Sequence, residues 1–263
     1  MACTSCQRQT VARGEAKCIS MTLPIMSYFV GRMVPSDVCL NVLIPQGADH
    51  DSYAPTPGQM MDMHQSVAYI SFGTLDFETT WRNRLQSVAP NMAWYDMNSL
   101  SQTTDPHYWT SPREALLLTD SLSALLKNIF SEKAAYIDSA TESLRADIRL
   151  RQTKLNAIAE KRPDIAFCIY HPALSALASE MCMTQIAIEH EGNLPSSGHQ
   201  KQITDEARSR GARVVFVQAG YDESRVETLA REIGAEVVGI DPEGTEWTSC
   251  MDTIISTFER LYL

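Results

Sequence analysis

The chain has 263 residues, of which 44% are hydrophobic and 21% are charged, a composition typical of a folded globular protein and unlike that of disordered or collagen-like chains. Asp and Glu outnumber Lys and Arg by 32 to 22, which gives a formal net charge of −10. An acidic surface repels phosphate backbones, so we expect no nucleic-acid partner.

The first 16 residues are small and polar, which predicts a flexible leader. They contain Cys3 and Cys6 but no apolar stretch of the kind found in secretory signals. Two interpretations remain at this point: a cytosolic protein, or an exported one whose signal has been removed.

Residues 17 to 97 alternate between short β-rich runs and longer helical patterns. This alternation indicates βαβ units and a mostly parallel sheet with helices on its faces. The predicted strands are 17–21, 38–44, 68–72 and 93–97, and the predicted helices are 26–33, 57–65 and 77–88.

No glycine or proline occurs between Pro112 and Pro163, although the chain carries 12 of each. We therefore predict a helix at 113–129, followed by one long helix at 132–162 that crosses between two lobes. Its apolar face is predicted from residues at helical spacing, namely Tyr136, Ala140, Leu144, Ile148, Leu155 and Ile158.

The βα alternation resumes after Pro163. The predicted strands are 165–170, 185–188, 214–218 and 236–240, and the predicted helices are 172–181, 198–210, 224–233 and 247–261. The fold class is therefore α/β, with two halves of similar size joined by a helix. We divide the chain into a leader at 1–16, a first lobe at 17–131, the linking helix at 132–162 and a second lobe at 163–263.

Imidazole and carboxylate groups directly follow predicted strands in both halves, each near a proline or glycine. In open α/β sheets, ligands bind beyond the carboxyl ends of the strands. Nitrogen and oxygen donors of this kind suit divalent first-row metals. The candidate ligands are Asp51 with its neighbour His50, then His107, His171 and Asp241. Individually, each could instead be a core histidine, a turn former or a solvated loop residue.

Five strings occur in one order along the chain: VLIPQGADHDSYAPTP (42–57), DPHYW (105–109), YHPAL (170–174), VVFVQ (214–218) and IDP (240–242). In combination they resemble the zinc/manganese solute-binding proteins of bacterial metal ABC importers (cluster A-I). The resemblance implies two lobes, each with a four-stranded, mostly parallel sheet, a rigid helix between them, and one zinc or manganese ion held between the lobes. It further implies delivery of that ion to a membrane ABC permease by a monomer without enzymatic activity.

Carried over by position, the resemblance places three of the family's four ligands on His107, His171 and Asp241. The identity of the first ligand is left open between two residues. Family members usually have a histidine four residues after the glycine that matches Gly47. That position is Asp51 here, with His50 one residue earlier. The register favours Asp51, which would make a set of two nitrogens and two oxygens suited to manganese. Binding by His50 would give three nitrogens and favour zinc.

The resemblance also implies an exported protein, periplasmic or at the cell surface. Lipid anchorage through Cys3 or Cys6 is then expected in the native protein. Two other functions remain as alternatives. A metal-dependent hydrolase would need a carboxylate base such as Glu243 or Asp105, and a siderophore-type protein would bind an organic ligand on the same two-lobed plan. His64, His190 and His199 lie outside the motif strings and are predicted to be exposed.

Overall fold

The computed structural model describes residues 17–100, 105–189, 197–221 and 224–263. The first lobe is built around a parallel sheet with the strand order β2-β1-β3-β4. Its strands are β1 (Cys18–Met21), β2 (Cys39–Val42), β3 (Ser66–Ser71) and β4 (Ala93–Asp96). Its helices are α1 (Pro24–Met33), α2 (Pro57–Asp62), α3 (Asp76–Val88) and α4 (Pro112–Ile129).

The second lobe repeats this plan, with all strands parallel and the order β6-β5-β7-β8. Its strands are β5 (Ala166–Ile169), β6 (Thr184–Ala187), β7 (Val214–Gln218) and β8 (Glu236–Ile240). Its helices are α6 (Ser175–Glu180), α7 (Ser197–Ser209), α8 (Ser224–Ile233) and α9 (Trp247–Tyr262). The predicted α/β class with two parallel four-stranded sheets is confirmed.

A long helix, α5 (Ala134–Lys161), lies between the two sheets. Its 28 residues span about 42 Å at 1.5 Å per residue, as expected for a helix that crosses from one lobe to the other. The prediction of a long interlobe helix is confirmed.

In the first turns of α5, the side chains that are buried differ from the predicted ones. Tyr136 is 51% exposed, whereas Ile137 and Thr141 are buried together with Leu144 and Ile148. The first four predicted residues follow one another at intervals of four, and each such step rotates about 40° beyond a full turn. Alternating steps of four and three, as from 137 to 148, keep side chains on one face of the helix.

Buried side chains of both lobes form one continuous core. This cluster includes residues of the first sheet, of α5 and α9, and of one face of the second sheet, for example Ile70, Leu144, Phe167 and Phe258. The other face of the second sheet packs against α7 and α8 in a separate cluster. The shared core and the long helix favour a fixed relation between the lobes over a wide hinge.

Hydrogen bonds between the lobes surround the ends of the strands. The indole nitrogen of Trp109 donates to the carbonyl oxygen of Pro242 at 2.8 Å, and that of Trp247 donates to the carbonyl oxygen of Trp109 at 2.8 Å. Loops from the two lobes also meet closely, since a Cβ atom at Gly220 would lie 2.5 Å from the Gly47 carbonyl oxygen. The loops that follow the strands of both lobes are therefore held against one another.

Within the described residues, no helix combines the length and the apolar character needed to cross a bilayer.

Candidate metal centre

Three imidazoles from loops of both lobes meet between the sheets. His50 follows β2, His107 lies between β4 and α4, and His171 follows β5. Their donor atoms all lie within 4.8 Å of one another, and Nε2 of His50 is 3.3 Å from Nε2 of His107. Two nitrogens bound to one tetrahedral zinc ion are about 3.3 Å apart, because each lies about 2.0–2.1 Å from the metal. The spacing therefore fits a shared metal ion.

A turn holds His107 in place a few residues before α4. Its backbone nitrogen donates to the carboxylate of Asp105 at 2.7 Å, and its carbonyl oxygen accepts from the backbone nitrogen of Thr110 at 3.0 Å. The side chain of His107 is only 2% exposed, and its Nδ1 has no hydrogen-bond partner. An imidazole buried in this way is fixed in position and shielded from water.

His171 is held through both its backbone and its ring. The side-chain amide of Gln218, at the end of β7, donates to the carbonyl oxygen of His171 and accepts from its backbone nitrogen. The ring donates from Nδ1 to the carboxylate of Glu189 at 2.6 Å. This bond leaves Nε2 for a ligand, and Nε2 is buried without a hydrogen-bond partner. A second ring nitrogen bonded to a carboxylate is a common feature of metal-binding histidines.

The loop that carries His50 is shaped by Asp49. Its carboxylate accepts from the backbone nitrogen of Asp51 at 3.0 Å and from the hydroxyl of Ser52 at 2.8 Å. This turn directs the imidazole of His50 inward, where its side chain is 7% exposed. The carboxylate of Asp51 lies on the other side of the ring, 2.9 Å from Nδ1 of His50, and about half of it is exposed.

Glu243 follows β8 and reaches the same group of imidazoles. Its Oε1 lies 3.3 Å from Nε2 of His50 and 3.4 Å from Nε2 of His107. Asp241, two residues earlier, lines the same small cavity as His50 and His171, but its carboxylate accepts from the side-chain amide of Gln46 at 2.5 Å. The structure thus brings His107 and His171 together with His50. Asp51, Asp241 and Glu243 are not members of this group of three, although Glu243 lies within 3.4 Å of two of its nitrogens.

The pKa values of the site reflect its close charge pairs. Burial lowers the pKa of His50, but the carboxylates of Asp51 and Glu243 outweigh this and raise it to about 10. Burial raises the pKa of Glu243, but His107 and His50 outweigh it and hold that pKa well below its usual range. Burial and the surrounding carboxylates raise the pKa of Tyr221, whose ring stacks on His171, above its ordinary value. The negative electrostatic potential of these carboxylates attracts cations.

Glu189 and Glu243 contribute to this site, but neither was predicted as a metal ligand or as a residue that holds a ligand in place. Glu189 comes two residues after β6, close to a strand end as the other candidates are, and that position was an available signal. Glu243 was considered only as a hydrolytic base. His64 and His199 are exposed and outside the cluster, while His190, Cys3 and Cys6 lie outside the described residues.

Comparison with known families decides which class of protein this is. A family model described as "zinc-uptake complex component A, periplasmic" matches residues 19–261. The chain belongs to this family. The resemblance to metal-type periplasmic solute-binding proteins of ABC transporters is thereby confirmed.

Curated relatives of this family member carry zinc-related names. The "High-affinity zinc uptake system protein ZnuA" of Bacillus subtilis is 19% identical over 249 residues, which cover 86% of this chain and 78% of that protein. The "Zinc-binding protein AdcA" of Streptococcus pyogenes is 17% identical over 269 residues, which cover 89% of this chain. The matched part is 52% of AdcA, so the chain spans about half the length of that relative.

Solved structures share the fold along nearly the whole chain. A crystal structure of ZnuA superposes with a TM-score of 0.86 at 25% identity and covers 94% of this chain and 99% of its own. A cadmium-bound periplasmic metal-binding protein from Candidatus Liberibacter asiaticus gives a TM-score of 0.81 at 15% identity, covering 92% and 99%. Neither the family nor these relatives support the hydrolase or the siderophore-type alternative.

Proposed function

We propose that this protein captures a divalent transition-metal ion, zinc in the first place, outside the cytoplasm and delivers it to an ABC permease. The observation that carries this proposal is the meeting of His50, His107 and His171 between the lobes of a zinc-uptake family member. The role is binding rather than catalysis, since the family is a solute-binding component of transport.

The nitrogen donors favour zinc over manganese. Imidazole suits zinc, whereas carboxylate and carbonyl oxygens suit manganese. If His50 rather than Asp51 is the first ligand, three of the donors are nitrogens, which favours zinc. A set of two nitrogens and two oxygens, which would favour manganese, is then not formed. Asp241, the oxygen ligand expected from the resemblance, would have to leave its bond with Gln46 in order to bind.

Release of the ion follows from the same architecture. Because the lobes share one core and a 28-residue helix, a wide opening would expose much apolar surface to water. We infer that the permease shifts a ligand-bearing loop or one lobe slightly, which lengthens metal–ligand distances enough to release the ion.

Location and assembly are inferred from the family and from composition. The family is periplasmic, and we propose that the native protein is anchored by a lipid on Cys3 or Cys6 and acts as a monomer. The net charge of −10 supports a protein without a nucleic-acid partner.

The test is zinc binding measured by calorimetry and by elemental analysis after dialysis against equal zinc and manganese. We expect one zinc ion per chain in the wild type and loss of tight binding in His107→Ala and His171→Ala. The matched control is His64→Ala, which removes an exposed imidazole outside the cluster. A wild type that retains no metal, or ligand variants that bind as the control does, would overturn the proposal.

A further inference from the structure

We propose that Glu243 is the oxygen ligand of this site and completes a tetrahedral set of three imidazoles and one carboxylate. The inference rests on the proposed function, because it adds a ligand to the same ion. It differs from the ligand set that the family resemblance implies, in which Asp241 has this place.

The first support is the geometry of three donor atoms. The distances among Nε2 of His50, Nε2 of His107 and Oε1 of Glu243 are 3.3, 3.3 and 3.4 Å. Zinc binds imidazole nitrogen at about 2.0–2.1 Å and carboxylate oxygen at about 2.0–2.2 Å, so two ligands of one tetrahedral ion are about 3.3–3.5 Å apart. The three atoms therefore have the spacing of one face of such a tetrahedron. A donor nitrogen of His171 lies within 4.8 Å of those of His50 and His107, and Glu243 would move toward His171 when all four groups bind one ion.

The second support is the placement of the other carboxylates. Asp241 is engaged with Gln46, and a Cβ atom at Gly244 would clash with Oδ2 of Asp241, so this carboxylate packs against its own loop. Asp51 lies beside Nδ1 of His50, the ring nitrogen that does not face His107. Among the carboxylates of these two loops, Glu243 alone is placed within 3.4 Å of both imidazole Nε2 atoms.

The third support is the way in which the backbone of Glu243 is fixed. Its carbonyl oxygen accepts from the backbone nitrogen of Ile25, at the start of α1 in the first lobe, at 2.8 Å. The preceding residue, Pro242, accepts from the indole of Trp109. Although Glu243 belongs to the second lobe, its loop is thus bonded to the lobe that supplies His50 and His107. A ligand held in this way costs little entropy to order when the ion binds.

Partial exposure gives Glu243 a distinct role among the ligands. Its side chain is 23% exposed, compared with 7% for His50, 2% for His107 and 12% for His171. Water therefore reaches the carboxylate more readily than the imidazoles. We infer that the bond to Glu243 is the first to be exchanged for water when the ion leaves.

The experiment compares Glu243→Ala and Glu243→Gln with Asp241→Asn and Asp51→Asn. Zinc affinity is measured by competition with a chelator, and circular dichroism with thermal unfolding confirms that each variant is folded. We expect both Glu243 variants to lose more than about 100-fold in affinity, beyond the 10–100-fold typical of groups that only support a ligand. Asp241→Asn is expected to stay within about tenfold of the wild type.

A crystal structure of the zinc-loaded wild type separates a ligand from a supporting residue. We expect an oxygen of Glu243 at about 2.0–2.2 Å from the zinc. A zinc ion bound instead by Asp241 or by Asp51, or unchanged affinity in both Glu243 variants, would overturn the inference while leaving the proposed function intact. If His107→Ala also failed to weaken binding, the proposed function itself would fail.

Discussion

The ring nitrogen Nδ1 of His171 lies 2.6 Å from the carboxylate of Glu189, which is itself 4% exposed. A carboxylate in this position fixes the tautomer of the imidazole and raises the basicity of the opposite nitrogen, the one left to bind metal.

Removing this support is expected to weaken metal binding without abolishing it. In Glu189→Ala, the His171 ring loses its acceptor, and zinc affinity should fall by about 10–100-fold. Chelator competition measures the effect. Glu160→Ala, which removes an exposed carboxylate from α5, serves as the control and should bind as the wild type does. Equal affinities for both variants would show that the bond does not support the ligand.

Zinc affinity is expected to rise with pH through proton competition. A pKa of about 10 means that His50 carries a proton throughout the physiological range, and that proton must leave when the metal binds. Affinity should therefore rise by about tenfold or more per pH unit between pH 6 and 8. Calorimetry in buffers of different ionisation enthalpy counts the protons released. Asp51→Asn should release fewer protons at pH 8, because it removes one of the carboxylates that raise the pKa of His50.

The raised pKa of His50 has the opposite effect on the stability of the metal-free protein, which should decrease as the pH rises. The protonated form of His50 stabilises the folded protein below the ordinary pKa of 6.5, and this stabilisation is lost as the pH rises toward 10. Thermal unfolding in the presence of a chelator should therefore show a lower Tm at pH 9 than at pH 7. If His50→Gln shows the same decrease between these pH values, another group is responsible.

The interlobe bond from Trp247 to Trp109 is expected to stabilise the fold. Trp247 is 1% exposed, and Trp247→Phe keeps an aromatic ring but leaves the Trp109 carbonyl oxygen without this donor. The free energy of unfolding should fall by about 1–3 kcal/mol. Denaturant titration measures the loss. Trp81→Phe, at a partly exposed position on α3, should lose clearly less, and equal losses would argue against a specific role for the bond.

Glu78 is expected to matter for stability although it lies outside the metal centre. It is 3% exposed and accepts from the hydroxyl of Thr22 at 2.6 Å and from the backbone nitrogens of Phe72 and Gly73 at 2.8 and 2.6 Å. Glu78→Ala removes this acceptor from the two backbone nitrogens, whereas the Thr22 hydroxyl keeps the Tyr69 hydroxyl at 2.9 Å. The loss should be about 2 kcal/mol or more and should lower the Tm by roughly 4–8 °C. Glu78→Gln keeps one acceptor oxygen and should lose less. A loss in Glu78→Gln as large as in Glu78→Ala would contradict this account.

The element pattern could be predicted from sequence because it depends on local periodicity. Strands β7 and β8 and helix α8 have the predicted bounds, and the other strands differ from prediction by one or two residues at their ends. The largest differences among the helices are three residues: α2 ends at Asp62 rather than at residue 65, and α6 begins at Ser175 rather than at residue 172. Residues 171 to 174 form a turn instead, in which the backbone nitrogen of Ala173 donates to the carbonyl oxygen of His171.

Which of His50 and Asp51 faces the other imidazoles could not be predicted from sequence. Neighbouring residues in a loop point in different directions, and the turn centred on Asp49 decides which of them faces inward. The same holds for Asp241 and Glu243, which lie on either side of Pro242. Spacing from a motif glycine gives a position along the chain but no direction for the side chain.

By itself, the sequence determined the two α/β halves, the long helix between them and the strand ends that carry His107 and His171, because hydrophobic periodicity and breaker residues act over short stretches of chain. Only the tertiary structure decided which side chains meet. His50 and Glu243 are 193 positions apart, and their approach depends on bonds between lobes, such as those from Ile25 to Glu243 and from Trp109 to Pro242. Contacts between distant segments orient a loop, and no local pattern encodes them.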